Sequence, residues 1–91
     1  MHALDLEMLP RHRSKIVAQH AAGKTVLLDV EGGGYYALDE VSGRIWQLCD
    51  GTRNVRQIVE VVCEEYDAAG QAIEEDVVAF VSDLVVESLL V

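Results

Sequence analysis

Gly32-Gly33-Gly34-Tyr35-Tyr36-Ala37-Leu38-Asp39-Glu40-Val41-Ser42-Gly43-Arg44-Ile45-Trp46 is the stretch on which the fold turns. Three consecutive glycines favour a tight hairpin, because glycine takes positive φ without steric cost. Tyr35, Tyr36 and Leu38 suit a half-buried strand, and Asp39 can cap a helix directly behind it. A strand this short, set between a hairpin and a helix, is expected to be the last in its sheet. Its outer amides and carbonyls would then be unpaired, and such an edge is a docking place for another chain.

Two weaker strand signals precede it. Ser14 to His20 contains Ile16, Val17 and Ala18, and after the turn at Ala21-Ala22-Gly23-Lys24 the run Thr25 to Glu31 is rich in Val and Leu. Short connections make the three strands an antiparallel meander. Residues 1–13, ending near Pro10, read as a flexible lead-in, and residues 14–91 as one domain.

Helical spacing takes over at Asp39, with Val41, Ile45, Trp46, Leu48 and Cys49 on the apolar side of a helix that Asp50-Gly51 ends. Asn54-Val55-Arg56-Gln57 has the form of a capping box. The helix it starts carries Val55, Ile58, Val59, Val62 and Cys63, and ends near Tyr66-Asp67. Ala68-Ala69-Gly70 leads to a last helix, Gln71 to Glu87, beyond which Leu89-Leu90-Val91 tucks in. In that helix Ile73, Val77, Val78, Phe80, Val81, Leu84 and Val85 span an arc of about 160°, wider than packing on one neighbour needs. Asp76, Asp83 and Glu87 flank Phe80. Either the helix is sandwiched and its acidic face solvated, or it floors a groove with an acidic rim.

Composition narrows the function. Ninety-one residues, 51% of them hydrophobic, suffice for one core. No run of 18 apolar residues could span a membrane. The acidic start Met1 to Glu7 lacks the apolar centre of a secretory signal, so a cytoplasmic protein is expected. Residues 61–91 hold eight acids and no Lys or Arg, which accounts for most of the net charge of −9. That third repels phosphate and attracts basic peptide. Cys49 and Cys63 fall on apolar helix faces and read as buried thiols, too few for a disulfide framework or zinc site.

Nothing points to catalysis. His2, His12 and His20 lie at the N-terminal end without a partner at ligand spacing and read as surface residues. The carboxylates sit on solvated helix faces, without the apolar pocket that tunes a general acid or base. The glycine run precedes a strand rather than a helix, so it cannot cradle phosphate. The expectation is a non-enzyme with no catalytic residue, metal or cofactor.

Leu27-Leu28-Asp29, Tyr35-Tyr36-Ala37-Leu38-Asp39-Glu40, Ile45-Trp46, Asp50-Gly51-Thr52, Val55, Ile58-Val59 and Glu65-Tyr66-Asp67 follow a pattern that continues in Asp76-Val77, Phe80-Val81, Asp83-Leu84 and Leu89-Leu90. Over about residues 24–91 this resembles the PqqD-like proteins, peptide-recognition domains of bacterial pathways to ribosomally synthesised, post-translationally modified peptides (RiPPs). Asp39 stands where the family usually has Asn, and Ser88 where it often has Gly.

The resemblance implies an α+β, winged helix-turn-helix-like fold, a three-stranded antiparallel sheet followed by three helices. It implies that a precursor's leader segment adds as a strand to the third strand, beside the third helix, for delivery to a leader protease, a cyclase or a radical-SAM enzyme. Carried onto this chain, Tyr35, Tyr36, Ala37 and Leu38 would offer backbone bonds. Val77, Phe80, Val81 and Leu84 would supply pockets, and Asp76 and Asp83 would pair with basic leader residues. A lasso-peptide pathway, a radical-SAM-modified peptide and a quinone-cofactor (PQQ) pathway all remain open as product classes. Two rivals stand beside it: a winged-helix DNA-binding or regulatory module, which shares the element order but would want a basic recognition helix, and an assembly adaptor that binds only the enzyme. Neither nucleic acid nor membrane is expected as a partner, and the chain is expected to be a monomer or a weak dimer through its free edges.

Overall fold

The computed structural model describes residues 6–66, 70–87 and 89–90, and the side chains of 70–72 are not described. His2, the first five residues of the lead-in, the 67–69 link, Ser88 and Val91 lie outside the described residues. Strands β1 (Ile16–Ala21), β2 (Lys24–Asp29) and β3 (Tyr35–Leu38) precede helices α1 (Glu40–Leu48), α2 (Val55–Tyr66) and α3 (Gly70–Val86). The sheet is antiparallel with order β1-β2-β3, as expected for a meander.

Alternation along β2 sorts the two faces of the sheet. Thr25 and Leu27 are buried against the helices, whereas Val26 and Leu28 are exposed. Of the glycines before β3, Gly33 takes the left-handed conformation (φ 79°). The rest of that turn is held by the Asp29 carboxylate, whose Oδ1 accepts from the amides of Glu31 (3.0 Å) and Gly32 (2.8 Å). At the other hairpin Ala22 sits at φ 52° ahead of Gly23, a strained position for a residue with a Cβ.

Asp39 caps α1 through Oδ1, which accepts from Ser42 N at 2.8 Å. Gly51, at φ 86°, turns the chain away after α1. The capping box at α2 is reciprocal: Gln57 N donates to Asn54 Oδ1 (2.8 Å) and Asn54 N donates to Gln57 Oε1 (2.9 Å). One core cluster joins Leu27 and Leu38 of the sheet to Ile45, Trp46, Leu48, Val55, Ile58, Val62, Val77, Val81, Leu84, Leu89 and Leu90. Val41, expected on the apolar side of α1, is exposed. Cys49 is buried, which pushes its thiol up to about 12, and Cys63 is half-buried.

The segment before β1 departs from the sequence expectation. Residues 6–13 are docked by the backbone: Met8 and Leu6 carbonyls accept from Val55 and Arg56 amides, Pro10 O from Gly51 N, and Leu89 O from Arg13 N. Pro10 is fully buried. His12, expected at the surface, is half-buried, its ring stacked on Trp46 at 3.8 Å with 2° between planes. Its Nε2 donates to Trp46 O at 2.6 Å. A His and a Trp 34 residues apart carry no local periodicity, so this pairing has no signature in the sequence.

α1 can lie on β2 because position 43 has no side chain. A Cβ there would stand 2.5 Å from Thr25 Oγ1 and 3.2 Å from Thr25 Cβ. Gly43→Ala is therefore expected to destabilise the domain by about 1–3 kcal/mol through overpacking. Urea unfolding of Gly43→Ala, Thr25→Ala and the double variant should give a favourable coupling, because removing Thr25 Oγ1 opens the space.

Candidate functional site: an open strand edge

The hydrogen-bond phase of the sheet identifies the free groups of β3. Asp29 N donates to Gly34 O (2.9 Å) across the β2–β3 turn, and Val30 N donates to Lys15 O (3.0 Å) toward β1. Bonded and non-bonded pairs alternate in an antiparallel ladder. With the register Leu27↔Tyr36 and Thr25↔Leu38, Tyr36 and Leu38 therefore spend their backbone groups on β2. The amides and carbonyls of Tyr35 and Ala37 point the other way, where no further strand of the described residues pairs with them. The docked residues 6–13 bond to Asp50, Gly51, Val55, Arg56, Leu89 and Leu90 rather than to β3.

Side chains of β3 divide between two faces. Leu38 is buried and Tyr36 half-buried, both against the core cluster on the helical side. Tyr35 (72% exposed) and Ala37 face outward. Tyr35 continues a row across the strands, Val17↔Leu28↔Tyr35, whose aliphatic members are also exposed. Sequence reading placed Tyr35 to Leu38 in one site offering backbone bonds; the structure sends their side chains to two surfaces and leaves only the backbone of Tyr35 and Ala37 open.

On α3 the expected pocket residues separate. Val77, Val81 and Leu84 are 1%, 0% and 5% exposed and belong to the core, leaving no surface for a guest. This corrects their assignment as pocket walls. An arc of apolar residues wider than one contact fills first at its centre, and the flanks stay open. Phe80 and Ile73 on one flank, and Val78 and Val85 on the other, are half-buried against the cluster. Asp76 and Asp83, exposed, lie on the Phe80 flank. The backbone of α3 packs on α2, while that of β3 packs on β2 and α1. β3 and α3 thus meet through the shared core cluster rather than by close backbone packing. Among the described residues no His, Cys, Asp and Glu group is placed to hold a metal ion.

Residues 24–90 match the profile of the family Coenzyme PQQ synthesis protein D (PqqD). The chain belongs to the PqqD family. A PqqA binding protein of Rhodopseudomonas palustris (strain HaA2) is 36% identical over 77 residues, covering 85% of this chain and 72% of the relative. Among solved structures, TbiB1 in complex with the TbiA(beta) leader peptide superposes with a TM-score of 0.80 at 31% identity, over 88% of this chain and 93% of that one. The PqqD truncation of Methylobacterium extorquens PqqCD, described as a functional and stand-alone RiPP recognition element, superposes with a TM-score of 0.73 at 27% identity. It covers 90% of this chain and 87% of that one. The α+β, three-strand, three-helix architecture is therefore the PqqD fold.

In this PqqD-family chain Asp39 ends the open strand, and its carboxyl is held below the ordinary carboxylate value. Hydrogen bonds from Ser42, backbone first and then side chain, favour the ionised form. A depressed folded-state pKa means that the cap's contribution is fully present above the unfolded value and is lost as pH falls through the folded one. Asp39→Asn, which keeps a capping side chain without the titration, should match the parent near neutrality to within about 0.5 kcal/mol. Its stability should fall less steeply below about pH 4, as read by urea midpoints across a pH series.

Proposed function

We propose that this chain is a non-catalytic RiPP recognition element, which binds a precursor's leader segment along the β3 edge and carries it to a maturation enzyme in the cytoplasm. The observation that carries this reading is the pair of open residues, Tyr35 and Ala37, at the end of the sheet. Their two amides and two carbonyls match two alternate residues of an added antiparallel strand. The guest residue between them lies opposite Tyr36 and points to the same face, toward the helical layer. There the Phe80 flank of α3 offers an apolar seat, and Asp76 and Asp83 offer charge to a basic neighbour. Relatives of this fold and family support the reading, since their names specify PqqA or a leader peptide as what they bind.

Magnitudes suit a carrier. Four hydrogen bonds at about 0.5–1.5 kcal/mol each, with one or two aliphatic anchors at about 1.5–3 kcal/mol, offset the ordering of a flexible leader. Affinity then falls in the micromolar range or somewhat tighter. Backbone bonding tolerates varied leader sequences, and the inward-facing guest residues supply selection. The maturation enzyme would be a lasso-type leader protease or cyclase, or a radical-SAM protein. Nucleic acid is a poor alternative because α3 carries Glu74, Glu75, Asp76 and Asp83 and no cation.

Ala37→Pro tests the edge directly. The Ala37 amide bonds to nothing in the ladder, so proline is tolerated there as on other edge strands, while a guest loses its partner. Calorimetric titration with the cognate leader should show at least a tenfold loss for Ala37→Pro and for Phe80→Asp, with thermal unfolding still cooperative. Unchanged leader affinity in both variants would refute the site.

A further inference from the structure

Cations are scarce in this chain, and most are spoken for. Lys15 pairs with Asp29 (3.1 Å), Arg44 with Glu65 (2.7 Å), Arg53 with Asp50 (3.5 Å) and Arg56 with Glu7 (3.0 Å). Among the described residues Arg11 and Arg13 form no ion pair, although the chain has sixteen acids. Both line one concavity of about 400 Å³ with His12, Ser14, Lys15 and Glu31. Two unpaired guanidiniums against Glu31, with the Lys15 ammonium already paired to Asp29, leave it a positive spot on a strongly negative molecule.

The backbone beneath these arginines is well anchored. Arg11 bridges to Asp50, Arg13 N donates to Leu89 O (3.1 Å), and Arg13 O accepts from Ile16 N (3.1 Å). Between them His12 is stacked on Trp46. A fixed base lowers the ordering cost of a contact made by the side chains. The concavity lies at the entry to β1, with Glu31 of the β2–β3 turn on its rim, and neither Tyr35 nor Ala37 lines it.

We propose that the Arg11–Arg13–Lys15 concavity is the docking site for the maturation enzyme, and that it takes a carboxylate-rich patch on that enzyme's surface. The partner's identity rests on the function proposed above; the charge argument does not. Guanidinium forks match carboxylates in paired hydrogen bonds. An extended polyanion such as nucleic acid would have to run on over a molecule of net charge −9, whereas a local acidic patch needs only the concavity. Leader on β3 and enzyme at the entry to β1 then engage different residues, which delivery of a held leader requires.

The test uses the full chain and the variants Arg11→Gln/Arg13→Gln, Arg13→Gln and Lys24→Gln. Lys24 is the other cation without an ion pair among the described residues, so Lys24→Gln serves as the charge-matched control for Arg13→Gln. Thermal unfolding checks that each variant folds. Biolayer interferometry against the cognate maturation enzyme, and fluorescence anisotropy with a labelled hexaglutamate peptide, should each show about a tenfold loss for the double variant. The salt dependence should also be shallower, because fewer charge contacts remain to be screened. Leader affinity should stay within about twofold in every variant, and Lys24→Gln should bind the enzyme like the parent.

Undiminished enzyme affinity in the double variant would overturn the proposal. So would loss of leader affinity, which would make the leader's own acids the occupant. Equal damage from Lys24→Gln would show an effect of net charge alone and overturn it too. Self-association seen by sedimentation equilibrium and abolished in the double variant would assign the spot to the acidic α3 of a second copy instead. A parent chain that binds no leader sinks the proposed function, while the comparison of arginine with lysine variants on hexaglutamate remains readable.

Discussion

The passage from strand to helix in the single residue Asp39 governs this molecule. Its carboxylate accepts from Ser42 N, so the chain stops being β3 and starts being α1 within one position. Two consequences follow from that abruptness. β3 is four residues long and cannot lead into a further strand, which leaves the outward groups of Tyr35 and Ala37 open. α1 is launched back over the sheet, where Gly43 meets Thr25 and Trp46 reaches the centre of the core.

Trp46 organises the opposite end. It is buried among the helices, and its exposed remainder is covered by the His12 ring. The same segment, residues 6–13, runs along the start of α2 and Leu89 through its backbone bonds. The docking happens away from β3. Arg11 and Arg13 are presented at the entry to β1 by the same segment, so a small basic concavity stands on residues other than those of the open strand. A carrier that must hold one polypeptide while meeting another benefits from such separation, because opposite potentials at distinct sites reduce competition between the partners.

Element order, strand number and helix caps were legible in the residues. Each rests on interactions within a few positions: Asp39 with Ser42, Asn54 with Gln57, and alternation along Lys24–Asp29. The candidate site was half legible. The edge strand followed from its shortness, and Phe80 with Asp76 and Asp83 fell on one flank. Val77, Val81 and Leu84 were misplaced because a wide apolar arc does not say which part of it a neighbour covers. Tyr35 and Tyr36 were grouped although the pleat sends them to opposite faces. The phase that frees Tyr35 and Ala37, rather than Tyr36 and Leu38, depends on the β2–β3 turn and could not be read from composition.

The amino-acid sequence by itself determined the local grammar: where strands bend, where helices begin, and that the last third is too acidic to court phosphate. These are short-range or summed properties, settled by φ/ψ preference, capping and net charge. Tertiary structure alone decided which apolar residues are spent on the core, which backbone groups stay open, and where the lead-in lies. The pairing of His12 with Trp46, and the gathering of Arg11, Arg13 and Lys15 around one concavity, join positions to surroundings far along the chain. Such contacts are selected by shape and packing in three dimensions, which no periodicity in the sequence encodes.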